Sequence, residues 1–147
     1  MMALETNTPA LSKTEANKAI VRRYWFDFWN EKNISVLNEI AVEDVTFHFP
    51  PGQAHQPPTL KKWFETALVA FPDVHFTLHD ELAEGDKVVS RWSYEATNTG
   101  NFLGRETTSI RVRDQGIDIF RIENGKIVEM WVAQDSLGLL QQLKVIQ

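Results

Sequence analysis

Apolar residues recur at helical spacing in the first half of the chain. A Ser12–Glu15 capping pattern opens the first such stretch, and the apolar positions that follow predict a helix running to about Asn30. A short helix is predicted at 35–41, and Thr59 is expected to cap a third helix over 60–71. The first helix is apolar beyond one face, so we expect other elements to cover it on more than one side.

Most of the remaining chain alternates apolar and polar residues, which is the pattern of β-strands. Strands are predicted at 45–49, 74–83, 87–97, about 107–122 and 127–133, and a closing helix at 136–143. Gly116 is predicted to mark a bulge in the fourth strand. Helices early and strands late predict an α+β fold, with three N-terminal helices packed over one face of a curved antiparallel sheet.

The dipeptide Asn124–Gly125 between two apolar runs is a strong local signal for a β-hairpin. Two registers are open. If the turn passes through 123–125, Asp118 faces Met130 and shares a sheet face with Val132. If the turn has two residues, 124 and 125, Asp118 faces Trp131, and the side chains of Asp118 and Val132 point to opposite faces.

Length and composition limit the class of protein. The 147 residues predict one domain at 12–147 after a flexible tail at 1–11. A net charge of −5 with no basic run disfavours nucleic acid as a partner, and the absence of Cys excludes disulfides and a thiol nucleophile. The chain has no apolar run long enough to span a membrane and no signal-peptide pattern, so the expected location is cytoplasmic.

Five Trp and nine Phe are a heavy aromatic load for one small domain. An aromatic core accounts for many of these rings, but their number also favours a cavity for a hydrophobic small-molecule ligand or a subunit interface. The candidate residues for lining such a cavity are Trp25, Trp29, Trp63, Trp92, Tyr94, Met130 and Val132.

The last hairpin is apolar on both of its faces, which is unusual for an antiparallel sheet with one side in water. Ile117, Ile119 and Arg121 would lie on one face, and Asp118, Phe120 and Ile122 on the other. The simplest cover for the second face is another copy of the chain. We therefore predict a homodimer packed sheet to sheet.

Several segments of the C-terminal half match a known pattern, namely Arg91–Trp92, Thr97–Gly104, Gly116–Ile122, Gly125–Trp131 and Asp135–Leu143. With these segments the chain resembles the SnoaL-like polyketide cyclases, or ester cyclases, of the nuclear-transport-factor-two-like fold. The resemblance implies a cone-shaped half-barrel with a deep pocket. It also implies an intramolecular aldol cyclisation without metal or cofactor, in which a carboxylate in an apolar pocket acts as the base.

The chain departs from that family pattern at polar positions. The acid that the family places in the last strand aligns with Val132, and its frequent His in a Thr-His-Thr-Gly segment aligns with Asn98. The His that pairs with the acid in the founding cyclases aligns with Asp118. If Asp118 and Val132 share a face, Asp118 supplies the carboxylate that position 132 lacks.

Three polar residues are the candidates for catalysis, and each has a structural alternative. Asp118 is either a functional carboxylate or the ion-pair partner of Arg91, Arg111 or Arg113 on a neighbouring strand. Asn98 either orients a ligand carbonyl or shapes a turn. His48 is either a base in the pocket or a surface histidine.

Other polar residues have structural interpretations. Asp135 is expected to cap the closing helix. His75 and His79 share one strand face about 13 Å apart, which is too far for a shared metal ion, so no metal site is predicted.

Two functional hypotheses follow. The first is a cofactor-free cyclase or isomerase that acts on a hydrophobic, carbonyl-rich small molecule, with Asp118 as the base and with Asn98 and His48 as hydrogen-bonding helpers. The second is a non-catalytic small-molecule-binding or dimeric scaffold protein of the same fold. The valine at position 132 and the asparagine at position 98 favour the second hypothesis.

Overall fold

The computed structural model describes residues 11–53 and 55–145, and the predicted tail, apart from Leu11, lies outside the described residues. The fold is α+β, with four α-helices in this part of the chain and a five-stranded, curved and unclosed sheet. In chain order the elements are α1 (Lys13–Arg23), a π-helical segment (Tyr24–Asn30), a 3₁₀ turn (Ile34–Val36), α2 (Leu37–Ile40), β1 (Ala41–His48), α3 (Leu60–Ala70), β2 (His75–Glu84), β3 (Lys87–Thr97), β4 (Arg111–Glu123), β5 (Lys126–Gln134) and α4 (Ser136–Gln142).

The first helix begins and ends where the sequence predicts, but its last two turns are π-helical. The Ser12 hydroxyl caps it by accepting from the backbone N–H of Glu15. In the π-helical segment the wider turn places two adjacent pairs of aromatic residues in the interior, and the buried residues are Tyr24, Trp25, Phe28 and Trp29. This geometry explains why the apolar stripe is broader than one face of an α-helix.

The strands lie in the order β1-β5-β4-β3-β2. The pairs from β2 to β5 are antiparallel, whereas β1 runs parallel to β5 and so joins the early part of the chain to the last hairpin. The inward face of the sheet packs against α1, the π-helical segment and α3 through one hydrophobic core. No helix among the described residues is long and apolar enough to span a membrane.

The hairpin between β4 and β5 has a register that neither sequence-based alternative gives. Its turn has two residues, with φ angles of 49° at Asn124 and 76° at Gly125, as a type I′ turn requires. A bulge follows, because Ile122 faces Ile127 while Arg121 faces Glu129, which leaves Val128 as an extra residue.

Because of this bulge, both predicted partners of Asp118 are wrong. Asp118 lies directly opposite Val132, and neither Met130 nor Trp131 faces it. The two side chains therefore share the inner face, although the turn is the two-residue turn that alone would have separated them. The extra residue shifts every pair beyond it by one position.

Gly116 does not mark a bulge, so that prediction is wrong. It pairs regularly with Trp92 on β3 and with Gln134 on β5. A Cβ atom at this position would collide with the Trp92 indole and with the carbonyl oxygen of Ala133. Glycine is required here because the indole lies across the backbone of β4.

We expect Gly116→Ala to lower the free energy of unfolding by about 2–3 kcal/mol, since the added methyl group overpacks a site closed by an indole and a backbone carbonyl. Urea unfolding followed by tryptophan fluorescence measures this change. The matched control is Gly52→Ala, because a Cβ atom there meets nothing within 4 Å and should change the stability by less than about 0.5 kcal/mol. Equal effects of the two substitutions would contradict the packing argument.

Candidate functional site

A cavity of about 70 Å³ lies between the inner face of the sheet and the helices. Its walls are mostly aromatic, and the rings come from the π-helical segment, α3, β2 and β3. These ring residues are Tyr24, Trp25, Trp29, Trp63, Phe76, Trp92 and Tyr94. The structure thus places five of the predicted lining residues, the four tryptophans and Tyr94, around one cavity.

Asp118 is the acidic side chain that lines this cavity, and its relative exposure is only 1%. The Trp92 Nε1–H donates a hydrogen bond of 3.0 Å to the Oδ1 atom of Asp118. Burial raises the pKa of Asp118 to about 7, and the hydrogen bond from Trp92 opposes this rise only in part. Asp118 is therefore a carboxyl group that gains and loses its proton near neutral pH.

In the described part of the chain none of the alternative partners of Asp118, namely Arg91, Arg111 and Arg113, forms an ion pair with it. Arg91 pairs with Asp80, and Arg111 pairs with Asp73 and Glu95. No Lys, Arg or His of the described ranges forms an ion pair with Asp118. An unpaired buried acid is costly, so the ion-pair interpretation does not account for this residue.

Hydrogen bonds and ring contacts fix the deep end of the cavity around Asp118. Ser90 lies opposite Asp118 on β3, and its hydroxyl accepts a hydrogen bond of 3.1 Å from Trp25 Nε1. The ring of Tyr24 packs 4.8 Å from that of Trp25, centroid to centroid. Burial raises the pKa of the Tyr24 hydroxyl well above its usual value, and the charge of Asp118 adds a smaller effect in the same direction. This phenol therefore stays protonated.

A second buried acid, Asp114, lies on the same face of β4 and was not singled out from the sequence. It accepts hydrogen bonds from the side-chain amide of Gln134, from the Tyr94 hydroxyl at 3.4 Å and from the backbone N–H of Gln115 at 2.8 Å. Burial raises the pKa of Asp114 to about 6. Its position at i−4 from Asp118 on the alternating strand is the signal that could have identified it.

His55 is another cavity residue that the sequence analysis did not select. It lies in the loop between β1 and α3, lines the cavity and has a buried Nε2 atom with no hydrogen-bond partner in the described part of the chain. Burial lowers the pKa of His55, which favours the neutral imidazole. No periodicity marks a loop residue of this kind, and only the folded loop brings it to the cavity.

His48 lies on the outer face of the sheet and does not meet Asp118. Its Nε2 atom is 2.6 Å from a carboxylate oxygen of Glu129, and its ring stacks on Trp131. His48 pairs with Trp131, whose side chain points outward. The sheet therefore lies between His48 and Asp118.

Asn98 is buried at the end of β3, outside the Asp118 cavity. Its side-chain amide donates to the carbonyls of Ala70 and Gly100, and its Oδ1 accepts from the backbone and hydroxyl of Thr108. These contacts join the end of α3 to the loop between β3 and β4. Both polar atoms of the Asn98 side chain are thus engaged in structural contacts, and neither is left to orient a ligand.

Met130 and Val132 are fully buried in the core and are not among the lining residues. Asp135 caps α4 as predicted, since its Oδ1 accepts from the backbone N–H of Gly138 at 3.0 Å. No group of three His, Cys, Asp or Glu residues within the described ranges has the geometry of a metal site.

These features define a class of small α+β proteins in which helices cover a curved sheet and enclose an aromatic cavity with a buried acid. A family model of SnoaL-like polyketide cyclases matches residues 19–143. The chain belongs to this family. No curated protein sequence matches the chain significantly.

Solved structures share the fold across most of their length. AclR from Streptomyces galilaeus, named as a candidate hydroxylase, is 27% identical, with a TM-score of 0.76 over 89% of this chain and 86% of AclR. IdmH from Streptomyces antibioticus, named as a candidate polyketide cyclase, is 25% identical, with a TM-score of 0.71 over 87% and 98%. A SnoaL-like candidate cyclase from Jannaschia is 18% identical, with a TM-score of 0.80 over 96% and 100%, and supports the fold alone.

The raised pKa of Asp118 predicts a specific dependence of stability on pH. The unfolded carboxyl ionises near pH 4 and the folded one near pH 7, so Asp118 makes folding less favourable as the pH rises between these values. We expect Asp118→Asn to become more stable relative to the unsubstituted protein by about 4 kcal/mol between pH 4 and pH 8. Urea unfolding at several pH values measures this difference.

The matched control for this series is Asp44→Asn, because Asp44 is an exposed acid on β1. It removes one carboxylate from the surface and none from the cavity, so it separates the effect of burial from the effect of net charge. A constant stability difference between Asp118→Asn and the unsubstituted protein would mean that the folded Asp118 carboxyl ionises at an ordinary pH, and would contradict the burial argument.

Proposed function

We propose that the protein is a cofactor-free cyclase or isomerase in which Asp118 removes a proton from a carbon next to a carbonyl group of a hydrophobic ligand. The observation that carries this proposal is a buried carboxyl group that lines an aromatic cavity and to which the described residues bring no cation. Such an environment raises the pKa of an acid toward neutrality and makes its carboxylate an effective base. Membership of the SnoaL-like polyketide cyclase family supports the same chemistry.

In the proposed reaction the Asp118 carboxylate takes the proton, and the electron pair of the C–H bond forms an enolate. The enolate carbon attacks a second carbonyl of the same molecule, which forms a carbon–carbon bond and leaves an alkoxide. The proton on Asp118 returns to that alkoxide, so the atoms balance and no co-reactant is consumed. An isomerase would instead return the proton to another carbon of the enolate.

The register of the last hairpin explains how Asp118 can replace the acid that the family pattern places at position 132. Residues directly opposite one another in an antiparallel pair have Cβ atoms about 4.5–5.5 Å apart and project from the same face. Asp118 and Val132 form such a pair. A carboxylate at either position would project from the inner face of the sheet at the same point along the hairpin, so the exchange of residue types keeps the acid on that face.

The site is compact, and a large ligand must displace part of its wall to enter. His55 and Phe102, from two different loops, line the cavity, and their ring centroids are 6.4 Å apart. Loops are the elements that can move without loss of the core. We infer that the loops carrying these two residues open to admit the ligand.

The proposed base can be tested with the bicyclic ketone 2-tetralone, whose acidic carbon exchanges hydrogen for deuterium in heavy water when a base acts on it. We expect the protein to accelerate this exchange and Asp118→Asn to reduce the rate at least about 100-fold, because an amide accepts no proton at neutral pH. The rate should rise with pH to a plateau above about pH 7, since only the ionised carboxylate acts. Mass spectrometry measures the exchange.

Asp44→Asn is again the matched control and should retain the full exchange rate. Circular dichroism establishes that Asp118→Asn is folded. Equal rates for Asp118→Asn and the unsubstituted protein would remove Asp118 from the mechanism. Tight binding of 2-tetralone without any acceleration of exchange would favour the second hypothesis, a binding protein of the same fold.

We also propose that the protein forms a homodimer through the outer face of the sheet. One row of side chains crosses this face from β2 to β5 and consists of Leu82, Val89, Ile119 and Trp131. Leu82 is 66% exposed, and Ile117 in the adjacent row is 47% exposed. A continuous apolar row with this exposure is typical of a protein interface.

Residues of both charge signs border this apolar row, and such a border is compatible with packing against a second copy of the same surface. Arg121 and Glu129 form an ion pair at 2.7 Å, and Glu129 also contacts His48. A two-fold interface places a patch against itself, so a patch that carries both signs of charge is compatible with self-association.

We expect Ile119→Asp to convert the dimer to a monomer, because it places a charge at the centre of the apolar row. Light scattering at micromolar concentration measures the mass. Val69→Asp is the matched control, since Val69 is a β-branched residue on α3 with 62% exposure and lies away from the sheet face. A monomeric unsubstituted protein at this concentration would overturn the dimer proposal.

A further inference from the structure

The cavity has polar groups at two separate places. Asp118 lies at one end, beside Tyr24 and Trp25. Away from Asp118, Tyr94 on β3 and Gln134 on β5 both contact Asp114, which lies four residues from Asp118 along β4, and His55 in the loop before α3 lines the same cavity. We call Tyr94, Gln134 and His55 the loop-end group. The proposed function uses only the Asp118 end, so the loop-end group needs a separate explanation.

Hydrogen bonds hold two members of the loop-end group, Tyr94 and Gln134, in place. Gln53 donates to Gln134 Oε1 at 3.0 Å, and the Gln134 amide donates to Asp114, which also accepts from the Tyr94 hydroxyl. This chain of contacts connects three strands to the loop that carries His55. Asp114 is therefore a positioning residue behind the cavity wall.

The Tyr94 hydroxyl is available to a ligand. Its 3.4 Å separation from Asp114 Oδ2 is long for an O–H donor, and Asp114 has two other donors, Gln134 and the Gln115 backbone. Burial raises the pKa of Tyr94 well above its usual value, so the phenol keeps its proton. It can turn this proton toward the cavity without leaving Asp114 unsatisfied.

His55 gives a second, independent indication of a polar ligand group at the same end. Its Nε2 atom is buried and makes no hydrogen bond to any residue of the described ranges. His55 meets Phe102, Phe102 meets Phe71 and Phe71 meets Tyr94, with centroids at 6.4, 5.3 and 6.4 Å, so a continuous series of rings connects His55 to Tyr94. Buried polar atoms without partners are rare in folded proteins, and a ligand is one way to satisfy them.

We propose that the loop-end group is a second binding subsite, which hydrogen-bonds an oxygen substituent at the far end of a flat aromatic ligand. This proposal rests on the proposed function, because it takes Asp118 as the end where the reaction occurs. Asp114, which holds the loop-end group, and Asp118 are four residues apart in one strand, or about 13 Å. The matching ligand class is therefore a fused-ring molecule with oxygen substituents at both ends and an apolar middle.

Two probes isolate the second subsite. The molecule 2-naphthol carries one hydroxyl group, and 2,6-dihydroxynaphthalene carries a second one at the opposite end of the same ring system. Asp118 can accept a hydrogen bond from the first hydroxyl, and the loop-end group can bind the second. We expect the protein to bind 2,6-dihydroxynaphthalene about tenfold more tightly than 2-naphthol, by isothermal titration calorimetry.

Tyr94→Phe removes only the hydroxyl, and we expect it to reduce the affinity ratio of the two probes to nearly one. His55→Phe should reduce the same ratio at least about threefold. The matched control is His75→Phe, an exposed histidine on β2, which should keep the full ratio. Circular dichroism establishes that each variant is folded.

Asp114 is tested by two substitutions. Asp114→Asn keeps an oxygen that can accept from the Gln134 amide and should retain the ratio, whereas Asp114→Leu removes this acceptor, releases Gln134 and should lower the ratio. A ratio near one in the unsubstituted protein, or an unchanged ratio in Tyr94→Phe or His55→Phe, would overturn the second subsite.

The outcomes for the two proposals can be separated. Absence of 2-tetralone exchange together with an intact affinity ratio would reject the proposed reaction and leave the subsite standing as part of a binding site. Normal exchange together with a ratio near one would reject the subsite and leave Asp118 as the base.

Discussion

The carboxyl group of Asp118 is buried, and no cation from residues 11–53 or 55–145 lies beside it; this constraint links the structure to the chemistry we propose. Water would stabilise the charge of an exposed carboxylate, whereas here one indole N–H is the hydrogen-bond donor that the described residues provide. The pKa therefore lies near 7, and the folded protein is less stable at neutral pH than it would be with a neutral side chain. The same raised pKa that lowers the stability at neutral pH allows the Asp118 carboxyl group to exchange a proton near pH 7.

The surrounding architecture serves to hold that acid in place. The absence of a side chain at Gly116 allows the Trp92 indole to lie across β4, where its Nε1–H reaches Asp118. The bulge at Val128 then places position 132 opposite the acid. A glycine, a tryptophan and one extra residue in a hairpin thus determine where the carboxyl group lies within the cavity.

The sequence predicted the local features that depend on short-range periodicity and capping. The first helix, the caps at Ser12, Thr59 and Asp135, and the turn at Asn124–Gly125 are all present in the structure. The α+β class and the family also followed from the sequence. These features could be predicted because each depends on residues within a few positions of one another.

The candidate site was only partly predictable. Asp118 stood out as an acid in an apolar strand, but its partner across the sheet was assigned wrongly because a bulge adds a residue without a distinctive sequence signal. Asp114 and His55 were not selected, since one resembles an ordinary polar strand residue and the other lies in a loop. His48 and Asn98 are held by Glu129 and by loop backbone, respectively, away from the Asp118 cavity.

By itself, the sequence determined the elements, their order and the presence of an acid among aromatic residues, because side-chain periodicity is a local property of the chain. The tertiary structure decided which polar groups meet. Strand register and loop closure set these distances, and both depend on contacts between residues far apart in the chain, such as Gln53 with Gln134 and Trp25 with Ser90.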